Sequence, residues 1–197
     1  MTILQSIILG VVEGVTEFLP ISSTGHLILT NKLFGIAEES FTKSFEITIQ
    51  FGAILAVVTL YWQKVFSSKE LWKKVLTAFL PTAVLGFLFY KILKQIFLSS
   101  SIIVLWSLLF GGIFLILFEI WHRGRDKDGH TDNITYKQSF LIGVFQSLAI
   151  IPGVSRAGAT IVGGLLMKVK RQTIVEFSFL LAVPTMAVAT AYDLYKS

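Results

Sequence analysis

The sequence predicts an all-α integral membrane protein built as an inverted repeat, with two re-entrant helix hairpins, about four spanning helices and a second repeat that is incomplete. Composition is the first observation behind this. Of 197 residues, 54% are hydrophobic and 15% charged, and mean hydropathy is +0.74, whereas a soluble domain carries about 25% charged residues. Such a chain cannot cover a water-facing surface, which excludes a soluble enzyme, a DNA-binding protein and a disordered tail. The second observation is a set of long uncharged gaps, and the third is a repeat between two broken apolar stretches.

The net charge of +5 does not point to nucleic acid, because Lys and Arg cluster in short segments between apolar runs, as membrane loops do. The absence of cysteine excludes disulfide staples, thiolate metal sites and a cysteine nucleophile. The start, MTILQSIILG, lacks the basic n-region and small-residue cleavage site of a signal peptide.

Crossing a hydrocarbon core of roughly 30 Å takes about 20 helical residues. Along the chain, Met1 to Thr30 is apolar but broken by Glu13, Glu17, Pro20 and Ser22-Ser23-Thr24-Gly25-His26. Spanning helices are expected between Glu46 and Lys64, between Lys74 and Lys91, from Ile102 to Phe118, and between Glu176 and Asp193. Gln138 to Met167 is again apolar, and is broken by Pro152, Gly153, Ser155, Arg156 and Gly158. Irregular backbone at membrane depth is tolerated only where protein or a wet cavity surrounds it, so both broken stretches read as helix–loop–helix hairpins. Basic residues at Lys64 to Lys74, at His122 to Lys137 and at Lys168 to Arg171 place those loops in the cytoplasm. The second hairpin then enters and leaves on one side, the segment from Asn31 to Ser44 lies outside, and the first hairpin enters from the opposite face. The run Asp126 to Asp132 superficially resembles a calcium loop but lacks the closing Glu; it reads as a solvated turn. Glu119, at the end of a span, reads as interfacial.

The hairpins match each other. Gly10-Val11-Val12-Glu13 aligns with Gly143-Val144-Phe145-Gln146, and Ile21-Ser22-Ser23-Thr24-Gly25 with Val154-Ser155-Arg156-Ala157-Gly158. A proline precedes each polar loop, and FEITI from Phe45 recurs loosely as VEFSF from Val175. Duplicated units entering from opposite sides form an inverted repeat, whose broken elements meet at the polar site. The expected organisation is one transmembrane domain over 1–197: a first repeat unit of about 1–98, a linking span of about 99–121, a cytoplasmic loop of about 122–137 and a partial second unit of about 138–197.

Residues four apart share a helix face, and two carboxylates in an apolar segment are costly unless paired, hydrated or metal-bound. Glu13 and Glu17 therefore read either as ligands of a hard divalent cation or as a general base, against the plain alternative of an interfacial helix with its acids in water. The hydroxyls of Ser22, Ser23 and Thr24, with Gly25, are anion-binding equipment at a helix start; one of the serines also reads as a helix cap. Beside two carboxylates, His26 is a candidate acid, base or phosphate ligand. Arg156, amid Gly153, Ser155, Gly158 and Thr160, offers a bidentate phosphate contact; the plain alternative is an arginine snorkelling to a headgroup. Glu46 and Glu176, matched in the repeat, are candidates to support the site from behind. An anion site next to carboxylates points to phosphoryl chemistry with a divalent metal.

EGVTEFLPISSTGH, FEITIQFGAILAV, PGVSRAGAT and EFSFLLAVP resemble, in order and spacing, the segments of the bacterial undecaprenyl-diphosphate phosphatase family of the bacitracin-resistance type. The resemblance implies an enzyme of the bacterial inner membrane that hydrolyses undecaprenyl diphosphate to the monophosphate and inorganic phosphate, recycling the lipid carrier for peptidoglycan. It further implies an outward-facing site and a need for Mg or Ca. By this resemblance Glu13 and Glu17 bind the metal, and Glu17, Ser23, His26 and Arg156 are catalytic. Ser22, Thr24, Gly25, Gly153, Ser155, Gly158 and Thr160 bind phosphate. Two departures stand out: Ala157 replaces a serine usual in the family pattern, and family members continue for several helices beyond Ser197. A homo-oligomer, or a partner supplying the missing helices, is expected on that account. The other readings are a flippase or transporter of a polyprenyl phosphate, which the same architecture would serve, and a non-catalytic truncated paralogue.

Overall fold

The computed structural model describes residues 1–37, 39–92, 101–123 and 131–196. The turn expected at Asp126 to Asp132 falls largely outside the described residues, as does the expected end of the first repeat unit near residue 98.

The described residues are helical, with no strand beyond one isolated bridge between Thr131 and Val169. In chain order the helices are α1 (Ile3–Thr16), α2 (Ser23–Leu33), α3 (Ser40–Leu60), α4 (Trp62–Ser67), α5 (Lys69–Ile92), α6 (Ser101–His122), α7 (Tyr136–Gln146), α8 (Arg156–Leu166) and α9 (Arg171–Lys196), with a 3₁₀ turn at Ser147–Ile150. Four stretches are long and apolar enough to cross a membrane: Phe41–Leu60, Lys69–Phe89, Ile102–His122 and Arg171–Tyr192. They coincide with the four uncharged gaps, and the chain is a multi-pass membrane protein. Along α6 the large apolar residues Ile102, Leu109, Phe110, Phe114, Leu117 and Ile120 are exposed; only a lipid solvent makes such a surface stable.

Both broken stretches form helix–loop–helix hairpins, α1–α2 and α7–α8, and the sequence match between them extends to their ends. Thr2 and Gln5 form a capping box at the start of α1, and Thr135 and Gln138 form one at the start of α7, in register with the pairing of Gly10 and Gly143. The reciprocal hydrogen bonds satisfy backbone groups that a helix start leaves without partners. Ser22 caps α2 through the Gly25 N–H, and its repeat counterpart Ser155 caps α8 through the Gly158 N–H.

The principal core lies between α5, α7, α8 and α9, where Val75, Ala78, Ile142, Val162, Leu165, Ile174 and Leu181 are buried. Contact there is backbone-close: a Cβ added to Gly143 would lie 2.0 Å from the Ala78 carbonyl oxygen. A smaller core of Leu9, Leu27 and Ile36 joins α1 and α2 to α3. The helices thus hold the two interhelical loops, 17–22 and 147–155, against each other.

Candidate active site

α1 ends where its polar residues begin. Glu13 is buried in the last turns, and Glu17, whose N–H still bonds to the Glu13 carbonyl, is the C-cap. The chain then turns sharply to Ser22, at φ 66°, a left-handed conformation uncommon for a residue with a Cβ. That turn lets the Ser22 side chain cap α2 and sets Ser23 at the first helical position. On the other hairpin, Gly153 at φ 90° makes the corresponding turn, and Arg156 opens α8.

The two loops meet at one cavity of about 180 Å³, whose wall includes Glu17, Ser22, Ser23, Thr24, Ser155 and Arg156. Gly158 allows the approach, since a Cβ there would sit 3.3 Å from the Pro20 carbonyl oxygen. Across the cavity Arg156 Nη2 donates to Glu17 Oε1 at 2.8 Å, and Nη1 donates to the Ser178 carbonyl at 3.1 Å. The Ser23 hydroxyl donates to the other oxygen of the same carboxylate, Glu17 Oε2, at 2.6 Å. The ion pair is nearly dry, its side chains 13% and 7% exposed. A buried pair of this kind is weak as a source of stability, because desolvation offsets the attraction; its use lies in fixing the carboxylate relative to the serine. The first N–H groups of α2 and α8 have no helical acceptor, and both helix starts line the cavity. Two helix N-termini and a guanidinium make it an anion site.

Glu13 lies beside Glu17 but is different in kind. It is 1% exposed, and neither carboxylate oxygen has a hydrogen-bond partner. Its charged neighbours are Glu17, Glu46 and Arg156. Glu46 in turn accepts from the Asn31 amide at 2.6 Å. Among the described residues no three His, Cys, Asp or Glu side chains gather as a ligand set. A bare buried carboxylate next to a second one nevertheless fits a cation that keeps several of its waters, as Mg does.

Several expected site residues lie elsewhere. His26 Nδ1 donates to the Ser22 carbonyl at 2.8 Å, and the side chain faces a neighbouring cavity against α6, lined by Pro20, Leu108 and Gly153. Thr160 is wholly buried, bonded to the Arg156 and Ala157 carbonyls and to the Ser178 hydroxyl; it anchors the start of α8 to α9. Gly25 and Gly153 also serve α6, since added Cβ atoms would strike Leu108 and the Val104 carbonyl. The Gly158 N–H is spent on the Ser155 cap. Glu176 pairs with Lys64 in a separate polar cavity beside Glu70, Lys74 and Asp132, whereas Glu46 lies near Glu13. Glu119 pairs with Arg171. Three polar residues that are not sequence candidates, Thr82, Gln146 and Thr185, also line the cavity. The signal for Gln146 was its alignment with Glu13.

This multi-pass helical membrane protein gathers polar side chains of two sequence-matched hairpins at one cavity with the chemistry of an anion site. The comparisons agree with that class and narrow it. Residues 6–197 match the family described as bacitracin resistance protein BacA. The chain is 56% identical to a protein of Sulfurihydrogenibium sp. (strain YO3AOP1) and 51% identical to one of Aquifex aeolicus (strain VF5), each named undecaprenyl-diphosphatase, over 100% of this chain and 77% of theirs. A Campylobacter jejuni protein of the same name is 49% identical over 98% of this chain and 72% of its own. The chain belongs to the BacA family.

Proposed function

We propose that the chain hydrolyses the terminal phosphoanhydride of undecaprenyl diphosphate at this cavity, releasing inorganic phosphate and the lipid monophosphate. The single observation that carries the reading is the chain of contacts from Ser23 through Glu17 to Arg156, which joins a hydroxyl, a base and a cation from opposite repeats around an anion site. Glu17 takes the Ser23 proton as Ser23 Oγ bonds to the terminal phosphorus, and the anhydride bond to the lipid phosphate breaks. Arg156 and the N–H groups opening α2 and α8 hold the oxygens on which charge develops. Water then cleaves the serine phosphate, and Glu17 returns the proton to Ser23. Ser22 and Ser155 hold the two helix starts in place, and Thr24 borders the phosphate.

A divalent cation, Mg or Ca, fits Glu13 and Glu17. When bound it supplies positive charge between carboxylates and phosphate that would otherwise repel. Glu13 is its buried anchor, and Glu46 with Asn31 stands behind Glu13. The topology that accompanies this reading has the basic loops in the cytoplasm, the hairpins entering from opposite faces of the bacterial inner membrane, and the cavity opening outward.

The test is phosphate release from a C15 or C55 diphosphate by purified protein in detergent. Release that is abolished by a chelator, and reduced at least a hundredfold in Glu17→Gln and Arg156→Ala, is expected; normal rates in either variant overturn the assignments. A labelled phosphate trapped on Ser23 by acid quench is expected, and activity persisting in Ser23→Ala transfers the attack to water. Lipid translocation in sealed vesicles without phosphate release would make the chain a transporter instead.

A further inference from the structure

Gln146 has an arrangement that stability does not explain. It is wholly buried, it lines the same cavity as Arg156, and its Nε2 donates to Thr82 Oγ1 at 2.8 Å and to Thr185 Oγ1 at 3.3 Å. Each threonine follows a proline inside a long helix, Pro81 in α5 and Pro184 in α9. The hydroxyl protons are already committed, Thr82 donating to the Gly143 carbonyl and Thr185 to that of Leu181. Both oxygens can therefore only accept from Gln146. This fixes the amide: both N–H groups are spent, and Oε1 is left as a pure acceptor with no partner in the protein. A buried acceptor left unmade costs stability, and an apolar side chain of the same shape would avoid that cost. The Glu17 carboxylate in the same wall already accepts from Ser23 and Arg156, so Gln146 Oε1 is an acceptor that the protein leaves open for a bound O–H.

We infer that Gln146 Oε1 is a positioning group for an O–H bound in the phosphate cavity. That O–H belongs either to a protonated oxygen of the terminal phosphate or to the water that cleaves the serine phosphate. The inference rests on the phosphatase reading for the role, though not for the binding. Glu13, the repeat counterpart of Gln146, is likewise a buried polar side chain in the last turns of its helix, beside Glu17, though it is not part of this cavity's wall. In the second copy the oxygen is neutral and its orientation is imposed by two threonines.

The experiment compares the purified parent chain with Gln146→Met and Gln146→Glu. It measures kcat and KM on a lipid diphosphate, the dissociation constant of inorganic phosphate by ³¹P NMR titration, and melting temperature. Gln146→Met removes the acceptor while both threonine hydroxyls keep their carbonyls, so the melting temperature is expected to hold or rise. If the phosphate supplies the O–H, the phosphate dissociation constant rises about tenfold in Gln146→Met, and further in Gln146→Glu through charge repulsion. If water supplies it, kcat falls about tenfold in Gln146→Met with phosphate affinity unmoved, and Gln146→Glu recovers most of the loss. A Gln146→Met variant within twofold of the parent in both constants overturns the inference, as does one that loses several degrees of stability while its folded fraction keeps parental constants. Should the parent release no phosphate from the lipid, the phosphatase reading fails; the phosphate titration then decides alone, and an unmoved affinity overturns the role of Gln146.

Discussion

The hairpins α1–α2 and α7–α8 share a helix–loop–helix plan and differ in chemistry. Their first helices start on the same Thr–Gln capping box, and their second helices are both 11 residues long and capped by matched serines. At and beside the cavity the copies have parted: Ser23 against Arg156, Glu17 against Ile150, Glu13 against Gln146. Two copies keeping the first set would bring four carboxylates together, and two keeping the second would oppose a pair of arginines; either costs several kcal/mol for each uncompensated buried charge. Duplication supplies the geometry, two helix starts on one cavity. Divergence supplies different side chains, so that the proposed mechanism draws its nucleophile and base from one hairpin and its anion-holding cation from the other.

The strongest way to break this comparison is to remove either side of the division. Arg156→Ala is expected to lower kcat by about 10³-fold or more, the scale on which an arginine stabilises phosphoryl transfer, and Glu17→Gln to do the same by uncoupling Ser23. The caps give the contrast. Ser155→Ala and Ser22→Ala each remove a cap hydrogen bond and are expected to cost about 1 kcal/mol of stability, with kcat falling only several-fold. Steady-state phosphate release combined with thermal melts of the four variants checks this. Equal losses at Ser22, Ser155 and Arg156 would mean that the caps are as chemical as the charges.

The same comparison shows what the sequence discloses. The four spans and both breaks were legible because charge in a bilayer is costly enough to mark boundaries, and Glu13, Glu17 and Arg156 stood out for the same reason. The joining of Ser23 to Glu17 and of Glu17 to Arg156 was not legible. Those contacts depend on the φ of Ser22 and on helix packing 139 residues apart in sequence. That His26, Thr160 and the loop glycines lie outside this cavity's wall was not legible either, because a motif gives proximity along the chain, not which side of a helix faces the cavity. Gln146 and its two threonines were missed because neutral side chains do not stand out in an apolar run. The pairing of Glu176 with Lys64 was not legible because the loose match of VEFSF to FEITI carries no information about α4.

A second prediction separates the copies by packing. Gly143 is pressed against the Ala78 carbonyl, whereas its counterpart Gly10 has nothing within 4 Å of an added Cβ. Gly143→Ala is expected to destabilise by about 1–3 kcal/mol, the usual cost of overpacking, because the obstacle is backbone and cannot rotate away. Gly10→Ala is expected to hold or gain up to about 1 kcal/mol from helix propensity. Chemical denaturation in detergent reads the difference, and a Gly143→Ala chain as stable as the parent would show that α5 and α7 shift freely.

The smallest expected effects concern the two matched glutamates that follow the hairpins. Glu46 is held by Asn31 next to the bare Glu13 carboxylate, so Glu46→Gln removes negative charge that helps to hold a cation there. The concentration of Mg giving half-maximal activity should rise about tenfold, the lower end of what support residues behind a metal ligand contribute. Glu176 meets Lys64 with the side chains 27% and 53% exposed, and an ion pair so open to solvent is worth at most about 1 kcal/mol. Glu176→Gln should therefore leave the Mg dependence and kcat within twofold of the parent. A shift in the Mg dependence as large as that of Glu46→Gln would reconnect Glu176 to the cavity and restore the symmetry that the packing has broken.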